Sequence, residues 1–514
     1  MPQPVKALDR VRMLEMLRSA RPFDVVVIGA GATGLGVAVD AASRGLKTLV
    51  VDAQDFAAGT SSRSTKLIHG GVRYMKNIRN WSLVREALAE RRILLKNAPA
   101  LAHPQAFVLP CYRVTDLVFY GLGLTLYTLL GIGGGLLGPV KLLGAVDTLC
   151  ELPGVKRKAL KGGVKYFDAQ FDDARTAVAL MQTALGCGAA VLNYASVTEA
   201  ELKDGRVDSV TVKDNETGET FHVRGRVFFN CTGPWVDNIR RLADPEVDSL
   251  VRISRGSHIV VGREFMPAKS AMLIPKTADG RVLFCIPWKG NVEIGTTDLE
   301  QGQAPFDPQI TDDETDFLIA GANRYLAKPI EKKDVKASFS GLRPLFKGNV
   351  VSGGPSSARL SREHAVIPEF GNMITVTGGK WTSYRLMAEH AIEAAQKMGL
   401  LPKSGCTTRS LPLAVDMTVD VKGLESRLDT EKLTAELKRE AADYAAYCVK
   451  TNGARTANDV LYRRLRIGQM NARVTKLLTP VVEKAVDMIP HKSEYYAVVK
   501  HALDLCKENS SWEP

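Results

Sequence analysis

A chain of 514 residues, 45% hydrophobic and 24% charged, is too long for a single hydrophobic core and suggests two or three domains. Its formal charge of +12 favours anionic partners such as a phosphorylated substrate or an acidic membrane surface; with no recognition motif and no dense basic run, no nucleic acid partner is expected. The eight cysteines (Cys111, Cys150, Cys187, Cys231, Cys285, Cys406, Cys448 and Cys506) form no CxxC pair and no ligand spacing. They read as buried free thiols in a reducing compartment, with no metal site.

The first twenty-three residues carry five basic and two acidic side chains and no apolar stretch of signal-peptide length. A helical extension ahead of the first strand explains them as well as a weak mitochondrial leader does. The run DVVVIGAGATGLGVAVDAASRGLKTLVVDA then reads as strand, turn, helix, strand. Val25 to Ile28 suit a parallel strand buried on both faces. Gly29, Gly31 and Gly34 follow as GxGxxG: one for the tight turn, one for backbone approach to a pyrophosphate, one for close helix–strand packing. Leu49 to Val51 form the second strand, and Asp52 stands where a carboxylate accepts from a ribose hydroxyl. This unit predicts a dinucleotide site and does not by itself separate FAD from NAD.

GTSSRSTKLIHGGVRYM (59–75) leaves the same sheet edge. Ser61, Ser62, Ser64 and Thr65 offer hydroxyls and Lys66 a cation beside a pyrophosphate, while His69 and Arg73 are spaced to share one face of a helical turn. LVFYGLGLTLYTLLGIGGGLLG (117–138) is uncharged and long enough to span a bilayer. Its glycines weaken it as a helix. A single crossing would also separate site segments that must meet, so docking into one leaflet is expected, with a buried core segment as the alternative. RVFFNCTGPW (226–235) is an apolar strand ending in a turn at Gly233, and GRVLFCIPWKGNVEIGTTD (280–298) reads as a hairpin. NMITVTGGKWTSYRLMAEHAIEAA (372–395) is strand, Gly378–Gly379 turn and helix, with Lys380 and Thr382 at the helix start. Such a positive helix end stabilises the anion of a reduced flavin. A nucleotide domain assembled from early, middle and late segments suits a flavoprotein better than an NAD dehydrogenase. From 411 onward the chain reads as amphipathic helices.

Nine segments occur in a fixed order: GAGATGLG, TSSRSTKLIHGGVRYM, YFDAQFDDAR, NCTGPW, GSHIVV, IGTTD, SGLRPL, SREH and GGKWTSYR. Together they resemble the FAD-dependent glycerol-3-phosphate dehydrogenases, particularly the mitochondrial form, over about residues 22 to 395. The resemblance implies FAD as cofactor, glycerol 3-phosphate as substrate, dihydroxyacetone phosphate as product and a membrane quinone as acceptor. With the leaflet docking expected of 117–138, the membrane is the mitochondrial inner membrane in a eukaryote or the cytoplasmic face of the inner membrane in a bacterium. A homodimer stays open. His258 and His69 are the candidate bases, His258 preferred because His69 is nearer the cofactor turn; a base titrating near neutrality favours histidine. Arg73, Arg343, Arg362 and Lys380 are the candidate phosphate ligands. Asp52 stands where the family commonly has glutamate, Cys231 replaces an alanine, and the part after 400 is shorter than in the mitochondrial family. The competing reading is a flavin oxidase of an amine or a 2-hydroxy acid that uses oxygen.

The expected fold is α/β (α+β overall). A discontinuous Rossmann-like FAD-binding domain (22–100, 160–235 and 340–395) joins an antiparallel-sheet domain for substrate binding and membrane docking (101–159 and 236–339). A C-terminal helical domain follows (400–514).

Overall fold

The structure is a computed structural model that describes residues 5–72, 75, 81–131, 137–277, 280–348, 364–430 and 432–488. Arg73 and Arg362, two of the expected phosphate ligands, and Cys506 lie outside the described residues.

The chain opens with the helix Arg10–Arg18, capped by the Asp9 carboxylate, which accepts from the Arg12 N–H. Met13, Leu14 and Leu17 bury its apolar face in the first core. Next come the expected strand Phe23–Ile28, the helix Ala32–Ser43 and the strand Thr48–Val51. The first strand lies parallel between Thr48–Val51 and Thr220–Asn230. Met373–Gly378 extends the parallel sheet beyond Thr220–Asn230, and Ala190–Leu192 closes the other end. Helices Ala32–Ser43, Asp173–Gly186 and Tyr384–Lys397 contribute to the surrounding core. Buried on both faces, Val25, Val26, Val27, Val50 and Val51 have no solvent side to alternate with.

A second, mostly antiparallel sheet builds the floor opposite the nucleotide domain. Its centre is the long pair Val251–Gly262 and Val335–Phe346, with the hairpin Leu283–Trp288 and Asn291–Gly295 beside it. Two strands of this sheet include residues expected in the nucleotide domain. Gly162–Phe171, expected in the nucleotide domain, pairs along its whole length with Ala102–Cys111 in the second sheet. Val335–Phe346 likewise belongs to the second sheet. Both strands run up to the nucleotide domain, so apolar pattern alone could not assign them to a sheet.

The apolar run beginning at Leu117 falls on the helix Val114–Leu130. Gly121, Leu124 and Tyr127 face inward; the Tyr127 hydroxyl accepts from the Gly70 N–H at 2.8 Å and donates to Asp168 at 3.0 Å. The opposite face carries Phe119 and Leu122, 68% and 70% exposed, with Val118 and Leu129 also open to solvent. Leu142, which packs against Gly121 of this helix, is exposed as well. Among the described residues no helix is long and apolar enough to cross a membrane.

The C-terminal helices Val421–Leu428, Ala435–Asn452 and Ala472–Asp487 share a third core with Trp288 of the second sheet. A π-helical turn, Asp459–Arg464, ties this region to the nucleotide segment. Arg463 and Arg464 both donate to the fully buried Asp55, and Asn193 donates to the same carboxylate at 3.1 Å. Burial opposes ionisation of Asp459, but Arg463 and Arg464 hold its pKa below the usual carboxylate range. Arg466 reaches Asp173 at 2.7 Å and the Ser62 carbonyl at 3.3 Å. Arg463 and Arg464 therefore hold the C-terminal region to Asp55, and Arg466 braces the back of the polar stretch at Ser62.

Candidate functional site

A cavity of about 480 Å³ opens where the C-terminal ends of the parallel strands meet the second sheet. Gly29 and Gly31 form its near wall. Gly29 has φ +98°, and a Cβ there would lie 2.8 Å from the Cys231 carbonyl oxygen, so the turn requires glycine. Gly34 sits one helical turn further on, where a Cβ would lie 1.8 Å from the Gly29 oxygen. That position sets how closely the helix packs on the strand and does not itself border the cavity.

Asp52 stands at the end of the second strand. Its carboxylate accepts from the Ala30 N–H at 2.6 Å and the Gln54 N–H at 2.9 Å. Desolvation in the cleft outweighs these bonds and raises its pKa to about 6. Ser61 Oγ accepts from the Ala32 N–H at 2.9 Å, at the start of the glycine-rich helix. Thr65 and Gly233 also border the cavity.

Two of the cofactor residues expected in the polar stretch do not. Lys66, read from the sequence as a pyrophosphate cation, is turned inward and fully buried. Its Nζ donates to the Ser64 carbonyl at 2.7 Å, pairs with Asp173 at 3.2 Å and lies 4.3 Å from the centre of the Phe339 ring. Burial lowers its pKa, with Asp173 opposing. Inside, its partners are that carboxylate, the Ser64 carbonyl and the aromatic ring. Ser62 is also buried; its carbonyl accepts from Arg466 and Gln469 at 3.3 and 3.0 Å. Its adjacent hydroxyl-bearing neighbours made the distinction invisible in the sequence.

The late segment closes the site. Gly378 and Gly379 have φ +73° and +74° and border the cavity with Lys380 and Thr382. Trp381 Nε1 donates to the Ser61 carbonyl at 2.9 Å, and Thr382 Oγ1 accepts from the His69 N–H at 3.3 Å. These bonds join segments more than three hundred residues apart around one space. Lys380 Nζ reaches the Gly70 carbonyl at 3.5 Å.

His69, His258 and Arg343 line the side formed with the second sheet. His258 is buried on Val251–Gly262, its ring stacked on Phe339 at 4.8 Å. Its Nε2 lies 2.9 Å from Thr65 Oγ1. Burial lowers its pKa well below the usual value, and the positive charges of Lys66 and Arg343 add to this. His69 is half-buried. Arg343 packs over Gly256, where a Cβ would lie 2.1 Å from Nη2. Its guanidinium donates to Thr296 Oγ1 at 3.0 Å and the Thr297 carbonyl at 3.2 Å, with Asp298 at 3.5 Å. Arg63, Trp235 and Phe306 also border the cavity, unassigned from the sequence. Arg63 lay within the polar stretch and was the one with a signal; it pairs with Asp307 at 2.9 Å. Phe306 packs on Trp235 with ring centres 4.8 Å apart, a contact that only the tertiary fold creates.

These residues fit a dinucleotide: two glycines with no room for a Cβ, a carboxylate at the second strand's end and a helix start at the cavity wall. A model of the family described as FAD dependent oxidoreductase matches residues 24–394, and the chain belongs to that family. Relatives that match it include glycerol-3-phosphate dehydrogenases. The mitochondrial enzyme of Arabidopsis thaliana is 39% identical over 76% of this chain and 64% of its own length. The human mitochondrial enzyme is 39% identical over 76% of this chain and 55% of its own. The chain thus spans little more than half to two thirds of these relatives. The probable glycerol-3-phosphate dehydrogenase of Encephalitozoon cuniculi is 34% identical over 90% of this chain and 81% of its own. Among solved structures, glycerol-3-phosphate dehydrogenase from Bacillus halodurans complexed with FAD matches with a TM-score of 0.73 and 26% identity, covering 96% of this chain and 97% of that one.

Proposed function

We propose that this protein oxidises sn-glycerol 3-phosphate to dihydroxyacetone phosphate with FAD and passes the electrons to a membrane quinone. The observation that carries the reading is one cavity bordered by the dinucleotide turn, by His258 and His69, and by the cations Arg343 and Lys380. Gly29, Gly31 and Asp52 would hold the adenosine and pyrophosphate end, with Ser61, Thr65, Gly233, Gly378, Gly379 and Thr382 along the rest of the cofactor. Bound there, FAD supplies the two-electron acceptor for the hydrogen on C2. Arg343 and Lys380 hold the phosphate dianion, with Arg73 and Arg362 as further candidate ligands. His258 takes the hydroxyl proton, with His69 as the second candidate. Two fixed cations beside a base suit a phosphorylated alcohol better than a single carboxylate.

The test is the visible spectrum of the purified flavoprotein, recorded without oxygen. Glycerol 3-phosphate should bleach the flavin band, and a quinone analogue should restore it. Bleaching by an amine or a 2-hydroxy acid instead, with reoxidation by oxygen to peroxide, replaces this reading with the oxidase one.

The exposed face of Val114–Leu130 supports a monotopic membrane place, since Val118, Phe119, Leu122 and Leu129 are apolar and solvent-facing together. The membrane would be the mitochondrial inner membrane in a eukaryote or the cytoplasmic face of the inner membrane in a bacterium. Lys at Phe119, Leu122 and Leu129 should abolish flotation with anionic liposomes and slow reduction of a lipid-embedded quinone. Flavin bleaching by substrate should be unchanged, because none of the three borders the cavity. Undiminished flotation sinks the docking proposal.

A further inference from the structure

Behind His258 lies a carboxyl group that the reaction as described does not use. Glu293, on the strand Asn291–Gly295, is completely buried. Among the described residues neither of its oxygens accepts a hydrogen bond. Its Oε1 is 3.7 Å from His258 Nε2, and it is the carboxylate paired with that imidazole. A buried carboxyl without hydrogen bonds is costly and needs a reason to be there.

The ring it faces is held on both sides. Phe339 stacks on one face at 4.8 Å and 12°. Gly295 lies so close that a Cβ there would come within 2.0 Å of His258 Cδ2. Strand pairing fixes the partners as well: His258 stands opposite both Gly295 and Phe339 in the ladder. The imidazole therefore has little freedom to swing towards another counter-ion once it gains a proton.

A counter-ion is needed. Whichever ring nitrogen receives the proton, the resulting imidazolium carries a hydrogen on Nε2, the nitrogen that faces Thr65 and Glu293. The positive charges of Lys66 and Arg343 both oppose that cation. The groups facing Glu293 are His258 from Val251–Gly262, Lys66 from the polar stretch, Asp173 from the helix it begins, and Arg466 from the C-terminal region. Asp173 is engaged by Lys66, Ser64 and Arg466, which leaves Glu293 as the anion for the ring.

We propose that Glu293 is a positioning residue that, when ionised, holds the imidazolium form of His258 and so makes a buried, cation-flanked histidine basic enough to take the substrate's hydroxyl proton. The inference rests on the function proposed above. In this step the O–H bond breaks and an N–H bond forms on His258, while the hydrogen on C2 leaves with its electron pair to the flavin and C2–O becomes a carbonyl. Glu293 gains and loses no atom; its negative charge offsets the new positive one.

Burial raises the pKa of Glu293 to about 7, with Lys66 opposing. Below that pH the carboxyl is protonated and gives the imidazolium no counter-charge. The wild-type kcat should therefore rise with pH through about 7. E293Q should lose about 10- to 100-fold in kcat with KM changed less than about threefold, and that rise should vanish. E293D should recover part of the loss. The resting protein supplies a readout that needs no turnover: the infrared carbonyl band of a protonated buried carboxyl should fade through the same pH range and be missing in E293Q. Unchanged kcat and an unchanged pH profile in E293Q with a full complement of FAD overturn the proposal, as does a loss carried by KM or the lack of a titrating band in wild type. If wild type is not reduced by glycerol 3-phosphate, the parent reading fails, and the infrared comparison still decides whether Glu293 titrates as described.

Discussion

Asp55→Ala should destabilise the protein by about 3–5 kcal/mol, the scale for removing one partner of a buried ion pair and stranding the other. Here two guanidinium groups are stranded at once. Arg463 and Arg464 both donate to Asp55, and Arg464 is 1% exposed at its side chain, so water cannot take over. Asp459 and the Asn452 carbonyl remain as partners at 2.5 and 2.6 Å, which keeps the loss from being larger. The measurement is urea unfolding followed by tryptophan fluorescence, with Glu219→Ala as control. Glu219 pairs with Arg18 at 2.6 Å between two exposed side chains, a pair of the kind that contributes little. Equal, small shifts in the two variants would show that the Asp55 cluster does not join the C-terminal helices to the nucleotide domain.

That cluster marks a limit of what a sequence displays. The parallel strands were legible because burial on both faces leaves continuous apolar runs, and Val25 to Ile28 is one. The GxGxxG turn and Asp52 were legible because backbone geometry restricts those positions to a few residue types. The meeting of the segment around Ser61 and His69 with the Gly378–Gly379 turn was legible too, since both carry hydroxyls beside glycines. Charged residues are different: their partners come from anywhere in the chain. Lys66 has the same neighbours in sequence whether it faces a phosphate or Asp173, and only tertiary packing decides. Nothing in the sequence around Arg463, Arg464 and Arg466 names Asp55 and Asp173 as their partners. Glu293 sits in an alternating hairpin whose pattern gives no hint that its side chain is buried against His258. The sheet that Gly162–Phe171 joins is hidden because strand pattern specifies a buried face without naming the neighbour that covers it.

Arg343→Ala should reduce kcat/KM for glycerol 3-phosphate by about 2–4 kcal/mol, a loss of roughly thirty- to a thousandfold, as expected when a charge-assisted contact to a phosphate is removed in a desolvated site. The position is prepared for the role. Thr296, the Thr297 carbonyl and Asp298 fix the guanidinium, and Gly256 lets it lie against the neighbouring strand. A side chain already ordered loses little further freedom when it binds an anion. Glycerol supplies the chemical control, because it keeps the reacting alcohol and lacks the phosphate; its turnover should fall far less. Arg343→Lys should recover only part of the activity, since a single ammonium cannot reproduce the two-pronged geometry of the guanidinium. Removing Arg343 also takes a positive charge from beside His258, which raises the basicity of that ring. The rate at saturating substrate should therefore fall less than kcat/KM, with most of the loss in KM. Parallel losses for glycerol and glycerol 3-phosphate would instead make Arg343 a brace for the Thr296–Asp298 turn, and the phosphate would have to be held by Lys380 and other cations.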